Sequence, residues 1–133
     1  MKGTVVIQGE KRLTDNFIQL VELMAKLRGP DGCPWDREQT SLSLKPFLLE
    51  ECYEVVEALD ESSPEKIKEE LGDVLFQVIF HARIAEEKGE FTIRDVIAGA
   101  VEKTLISMVH LLQNRVDATI DEVVKTKNPP LRR

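Results

Sequence analysis

The chain has 133 residues, of which 42% are hydrophobic and 32% charged, and its net charge is −6. That size fits one domain with a modest core, and the acidic balance excludes a nucleic-acid binder built on a broad basic surface. Two cysteines, Cys33 and Cys52, supply neither a disulfide framework nor a zinc pattern and fit a reduced cytoplasm, while no apolar run is long enough for a signal sequence or a membrane span.

Residues 1–13 read as a leader in which Val5-Val6-Ile7 is a short strand or an arm that packs on a partner. A first helix starts at Thr14 or Asp15, both good N-caps. Its apolar positions Phe17, Leu20, Val21, Met24 and Leu27 make one buried face, and Gly29-Pro30-Asp31-Gly32 ends it. A loop from Gly32 to Thr40 then carries the single tryptophan. Trp35 reads first as the cover of a core edge and second as an aromatic wall for a nucleobase. Lys45 is a surface lysine or a phosphate contact.

From Leu44 to Arg83 the chain reads as two helices joined by Asp60-Glu61-Ser62-Ser63-Pro64. Ser63 is the N-cap of the second, with Pro64 at its first position. Leu48, Leu49, Cys52, Val55, Val56 and Leu59 form the expected core face of the first helix, with Cys52 a buried thiol. The second has one apolar stripe at Leu71, Val74, Leu75, Val78 and Ala82 and another at Phe76, Phe80 and Ile84, with Glu70, Asp73 and Gln77 between them. Gly89 ends this helix. Thr92 caps the next, whose face is Val96, Ile97, Ala100, Val101 and Leu105. Thr119-Ile120-Asp121-Glu122 reads as a capping box for a short last helix, which Asn128-Pro129-Pro130 stops ahead of a frayed tail.

The chemistry concentrates in the hairpin. Glu51 and Glu54, and then Glu70 and Asp73, are spaced i, i+3, so each pair shares a face of its helix. Folded antiparallel about Ser62, Glu54 comes level with Glu70 and Glu51 with Asp73. Four carboxylates at one depth repel one another, and partial burial adds to the cost. A hard divalent cation offsets that cost, because it takes oxygen ligands and brings positive charge. Mg²⁺ is the first choice and Mn²⁺ the second. The alternative for any single Glu is a solvated face on a helical bundle, and Glu50, Glu57, Glu61, Glu65 and Glu69 read that way. His81 reads as a core or surface histidine, and the Glu-x-x-His pattern of a di-iron bundle is absent.

Gly32-Cys33-Pro34-Trp35-Asp36-x-x-Gln39-Thr40, Ser43-Leu44-Lys45-Pro46-Phe47-Leu48-Leu49-Glu50-Glu51-x-Tyr53-Glu54 and Glu69-Glu70-Leu71-Gly72-Asp73-Val74-Leu75-Phe76-Gln77 closely resemble the MazG family. The resemblance spans roughly residues 14–125. It implies an all-α, oligomeric bundle of four to five helices in a domain at 14–128, with a short tail at 129–133. It also implies a Mg²⁺ site at Glu51, Glu54, Glu70 and Asp73, and hydrolysis of a nucleoside triphosphate to the monophosphate and pyrophosphate by a homodimer or homotetramer. One carboxylate left free of metal, Glu50 or Glu54, would orient or deprotonate the attacking water. Trp35, Lys45 and Lys103 are the expected substrate contacts.

Two departures bear on activity. Where the family commonly continues Arg-Arg-His-Pro-His-Val-Phe, this chain has Ile106-Ser107-Met108-Val109-His110-Leu111-Leu112, so the phosphate-gripping arginine pair is missing. Ser41 stands where the family often has His. Lys103, Arg115 or a partner's residue would have to replace the arginines. The alternative function is a nucleotide-binding regulatory protein with weak or no turnover.

Overall fold

The computed structural model describes residues 12–123. Among them are five helices and no strand: α1 (Leu13–Leu27), α2 (Pro34–Glu38), α3 (Ser41–Glu61), α4 (Pro64–Glu87) and α5 (Ile93–Val123). The all-α expectation holds. The readings of the Val5-Val6-Ile7 arm and of the Asn128-Pro129-Pro130 stop and tail lie outside the described residues. The chain divides between Thr92 and Ile93 into two compact units.

In the first unit, α1 starts slightly before the expected caps. Arg12 is its N-cap and makes no side-chain cap bond, so Thr14 and Asp15 lie inside the first turn, where Asp15 complements the helix dipole. The chain leaves α1 by a tight turn in which the Cys33 N–H donates to the Leu27 carbonyl at 2.8 Å. A Cβ at Gly32 would lie 2.1 Å from that same carbonyl oxygen, so only glycine fits there. The segment read as a loop contains the short helix α2, with Pro34 in its first turn.

Thr40 and Ser43 cap α3 reciprocally, each side chain accepting from the other's backbone N–H. The hairpin turn then rests on Ser62, which takes the left-handed conformation at φ 56°. Ser63 Oγ accepts from Lys66 N to start α4, with Pro64 in the first turn as expected. Gly89, at φ 75°, follows the end of that helix.

The core is small. Met24, Leu44, Ala58, Ile79, Phe80, Ala82, Ile84 and Ala85 are buried, and Phe76 and Phe80 meet edge-on at 6.0 Å. Arg28 ties its rim together. It donates to both Glu87 oxygens at 2.8 and 2.9 Å and to the carbonyls of Asp36 and Gln39, and it lies over the Phe80 ring.

The expected core face of α3 is corrected. Leu49, Cys52, Val56 and Leu59 are exposed in the single chain, whereas Leu44 and Ala58 are buried and Glu51 half-buried. On α4, Leu71, Leu75 and Val78 are likewise exposed, and Ile79, in neither expected stripe, is buried. The reason is geometric: the face of α3 that is buried carries Leu44 and Ala58, and that of α4 carries Gln77, Ile79, Phe80 and Ala82. The most apolar stripes of the two helices are left on the surface of the chain, and Cys52 with them.

The second unit is α5. Its expected face of Val96, Ile97, Ala100, Val101 and Leu105 is exposed. No short last helix begins at Thr119, because α5 runs unbroken through it. The Thr119 hydroxyl donates back to the Arg115 carbonyl at 3.0 Å, a bond within the helix in place of a cap.

Candidate functional site

The site is assembled on facing turns of α3 and α4. One oxygen from each of Glu51, Glu70 and Asp73 lies within 4.8 Å of the other two. Glu51 and Glu70 are half-buried and Asp73 is exposed, so the group opens to solvent on one side. Helical spacing puts Glu70 and Asp73 on one face of α4, and the turn at Ser62 brings Glu51 level with them.

The electrostatics record the crowding. Partial burial pushes the Glu51 carboxyl above its ordinary value, and the charges of Asp73, Glu54 and Glu50 push it further. Glu70 is raised in the same way, by desolvation first and then by Glu54 and Asp73. None of the ion pairs among the described residues reaches the three. Lys66 pairs with Glu61, Lys68 with Glu65, and Arg28 and Arg83 with Glu87. Clustered hard oxygen donors with no paired cation among the described residues form a donor set that fits Mg²⁺ or another hard divalent ion.

The remaining expected site residues are placed differently. Glu54 is close enough to raise both Glu51 and Glu70 by its charge, yet it lines a cavity of about 330 Å³ with Pro46, Leu49, Glu50, Tyr53 and Glu57. It therefore stands between the cluster and the outer side of α3, with Glu50 beside it. Trp35 is half exposed on α2 and meets Phe47 edge-on, ring centres 5.6 Å apart. Lys45 is exposed on α3, and Lys103 is exposed on α5 in the other unit.

Two features had no clear signal in the sequence. Gln77 is buried, and its Oε1 has no hydrogen-bond partner among the described residues; the Nε2 of half-buried His81, one turn on, likewise has none among them. Their spacing, four and eight residues after Asp73, was visible, but not the burial of these two atoms. Arg28 also went unnoticed, because a lone arginine after a helix end gives no pattern.

Comparison with known proteins agrees with the hairpin. Residues 39–112, more than half of the chain, match the MazG nucleotide pyrophosphohydrolase domain. Over 95 residues the chain is 58% identical to the nucleoside triphosphate pyrophosphohydrolase/pyrophosphatase MazG of Thermotoga maritima, a match that covers 71% of this chain and 37% of that protein. It is 48% identical over 108 residues to YabN of Bacillus subtilis, covering 81% of this chain and 22% of that one. With the nucleoside triphosphate pyrophosphohydrolase of Escherichia coli K12 it shares 44% identity over 86 residues, 64% of this chain and 33% of that protein. The chain thus spans well under half the length of these curated relatives. In structure it is similar to a MazG-related protein from Thermotoga maritima, with a TM-score of 0.55 and 29% identity across 65% of this chain and 74% of that one. Matching motifs, fold and relatives lead to one conclusion: the chain belongs to the MazG family.

Proposed function

We propose that this chain is a Mg²⁺-dependent nucleoside triphosphate pyrophosphohydrolase that converts a nucleoside triphosphate and water to the monophosphate and pyrophosphate, and so controls the nucleotide pool. The observation that carries this reading is the convergence of Glu51, Glu70 and Asp73 with no ion pair to a cation among the described residues. A divalent ion held there supplies positive charge for the triphosphate and acidifies a bound water.

The chain's own residues divide the remaining work. Glu51, Glu70 and Asp73 hold the ion. Glu54 is adjacent to the cluster and faces a cavity on its other side, which suits a carboxylate that takes a proton from the attacking water. Glu50, on the same cavity, is the second candidate. Trp35 and Phe47 offer aromatic faces to the base, and Lys45 offers charge to phosphates.

The protein is also proposed to act as a cytoplasmic homodimer or homotetramer. Free Cys33 and Cys52 fit a reducing compartment. Among the described residues no helix is long and apolar enough to cross a membrane. Leu49, Tyr53 and Val56 on α3 and Leu71, Leu75 and Val78 on α4 lie exposed at helical spacing, as a subunit interface requires.

One observation favours a second reading, a nucleotide-binding regulator with weak turnover. Ile106 and Ser107 bring no charge where the family commonly has two arginines, and α5 runs through that stretch as plain helix. Pyrophosphate release from a panel of NTPs and dNTPs, in Mg²⁺ and in EDTA, separates the readings. The enzyme releases pyrophosphate only with Mg²⁺, and Glu54→Gln abolishes it. Saturable Mg²⁺-dependent nucleotide binding without release would instead establish the regulator.

A further inference from the structure

We propose that Gln77 is a specificity-determining residue that accepts a hydrogen bond from a sugar hydroxyl of the bound nucleotide, an inference that rests on the nucleoside triphosphate reading above. Gln77 is 8% exposed, and its Oε1 has no hydrogen-bond partner among the described residues. A buried amide oxygen without a partner is destabilising, so a residue of this kind calls for an explanation.

Its position supplies one. Gln77 follows Asp73 by four residues, so it stands on the same face of α4, about 6 Å further along the axis at 1.5 Å per residue. The antiparallel register fixes what it meets across the hairpin. Glu51 acts on Asp73 and Glu54 on Glu70. Continued along the hairpin, that register pairs position 44 with 80, where Leu44 and Phe80 are both fully buried, and position 47 with 77. Phe47 in turn meets Trp35 edge-on. One turn beyond the carboxylates there is thus an unpartnered acceptor, level with an aromatic pair.

A nucleotide whose phosphates sit at the carboxylates places its sugar at about this remove. A sugar hydroxyl is a donor, and Gln77 Oε1 is an acceptor in need of one. His81 continues the track. It follows Gln77 by four residues, its Nε2 also lacks a partner among the described residues, and burial holds its pKa down. Two unpartnered polar atoms on successive turns extend from the cluster in one direction, which a metal site alone does not need.

The test compares the full-length wild type with Gln77→Leu, each given an NTP and its 2′-deoxy and 3′-deoxy forms in saturating Mg²⁺. Gln77→Met, which keeps length and removes the acceptor, replaces the leucine variant if that fails to fold. Loss of the recognised hydroxyl is expected to lower wild-type kcat/KM about tenfold, mainly through KM. The variant is expected to lose about as much on the full NTP and to become indifferent to that hydroxyl. A variant with the wild type's sugar preference, or a wild type with none at either position, overturns the proposal. If the wild type hydrolyses no NTP, the enzymatic reading fails by itself. The same matrix is then read as binding, through the fluorescence of Trp35, the chain's single tryptophan.

Discussion

At the residue scale the molecule holds two sets of charges with opposite pH behaviour. Glu51 and Glu70 have carboxyls raised above 4.5, their ordinary value, by desolvation and by neighbouring carboxylates. Their contribution to stability is fully present below that value and is lost as pH rises through their raised pKa values. The metal-free chain is therefore expected to lose melting temperature from about pH 4.5 upward in EDTA. Glu51→Gln should flatten that decline, and Mg²⁺ should reverse it in the wild type; a decline identical in the variant would count against the cluster. The same variant should lower Mg²⁺-dependent turnover by about 100-fold or more, since it removes charge where the ion is held. Glu87 behaves in the opposite way. Hydrogen bonds from Arg28, helped by its charge, hold that carboxyl below its ordinary value. This stabilisation is full above pH 4.5 and fades as pH falls through the lowered pKa. Arg28→Met strips hydrogen bonds from Glu87 and from the carbonyls of Asp36 and Gln39, and should cost about 2 kcal/mol in denaturant unfolding at neutral pH. A loss under about 0.5 kcal/mol would show the clamp to be ornamental.

At the element scale the hairpin turn has the clearest energetic signature. Ser62 is the only non-glycine residue with positive φ among the described residues, and a Cβ is unfavourable there. Ser62→Gly should raise stability by about 0.5–1 kcal/mol without moving the carboxylates, so melting temperature rises while Mg²⁺ affinity stays constant. Much of this scale was legible in the sequence because its signals are local. Ser63-Pro64 starts α4, Gly29 to Gly32 closes α1, and the turn between matched acidic pairs sets the register. The errors share one cause: a local pattern cannot say which partner wins. Thr119 has a good capping pattern, yet its hydroxyl bonds to Arg115 and α5 continues. Leu49, Val56 and Leu59 form a good apolar stripe, yet Leu44, Glu51 and Ala58 lie on the α3 face that meets α4. Burial of Gln77 was invisible for the same reason, since a glutamine between two apolar stripes can point to either side.

At the scale of the whole molecule, the exposed stripes on α3 and α4 are where the proposed subunit interface would form. Replacing Val56 or Leu75 by Glu should shift the protein toward monomer by light scattering and reduce turnover if a neighbouring subunit completes the site. Unchanged mass in both variants would rule those stripes out as the interface. The grouping of Glu51, Glu70 and Asp73 could be read from the chain because they sit in two short acidic motifs. The proposed phosphate contacts could not, because Ile106 and Ser107 occupy the positions where the family commonly has two arginines. The decisive measurement is therefore the identity of the products. Phosphorus NMR of a nucleoside triphosphate incubated with the full chain should show monophosphate and pyrophosphate appearing in equal amounts, with Mg²⁺ and not with EDTA. Orthophosphate and diphosphate as products, or turnover that survives EDTA and Glu51→Gln, would contradict a pyrophosphohydrolase that works through these carboxylates.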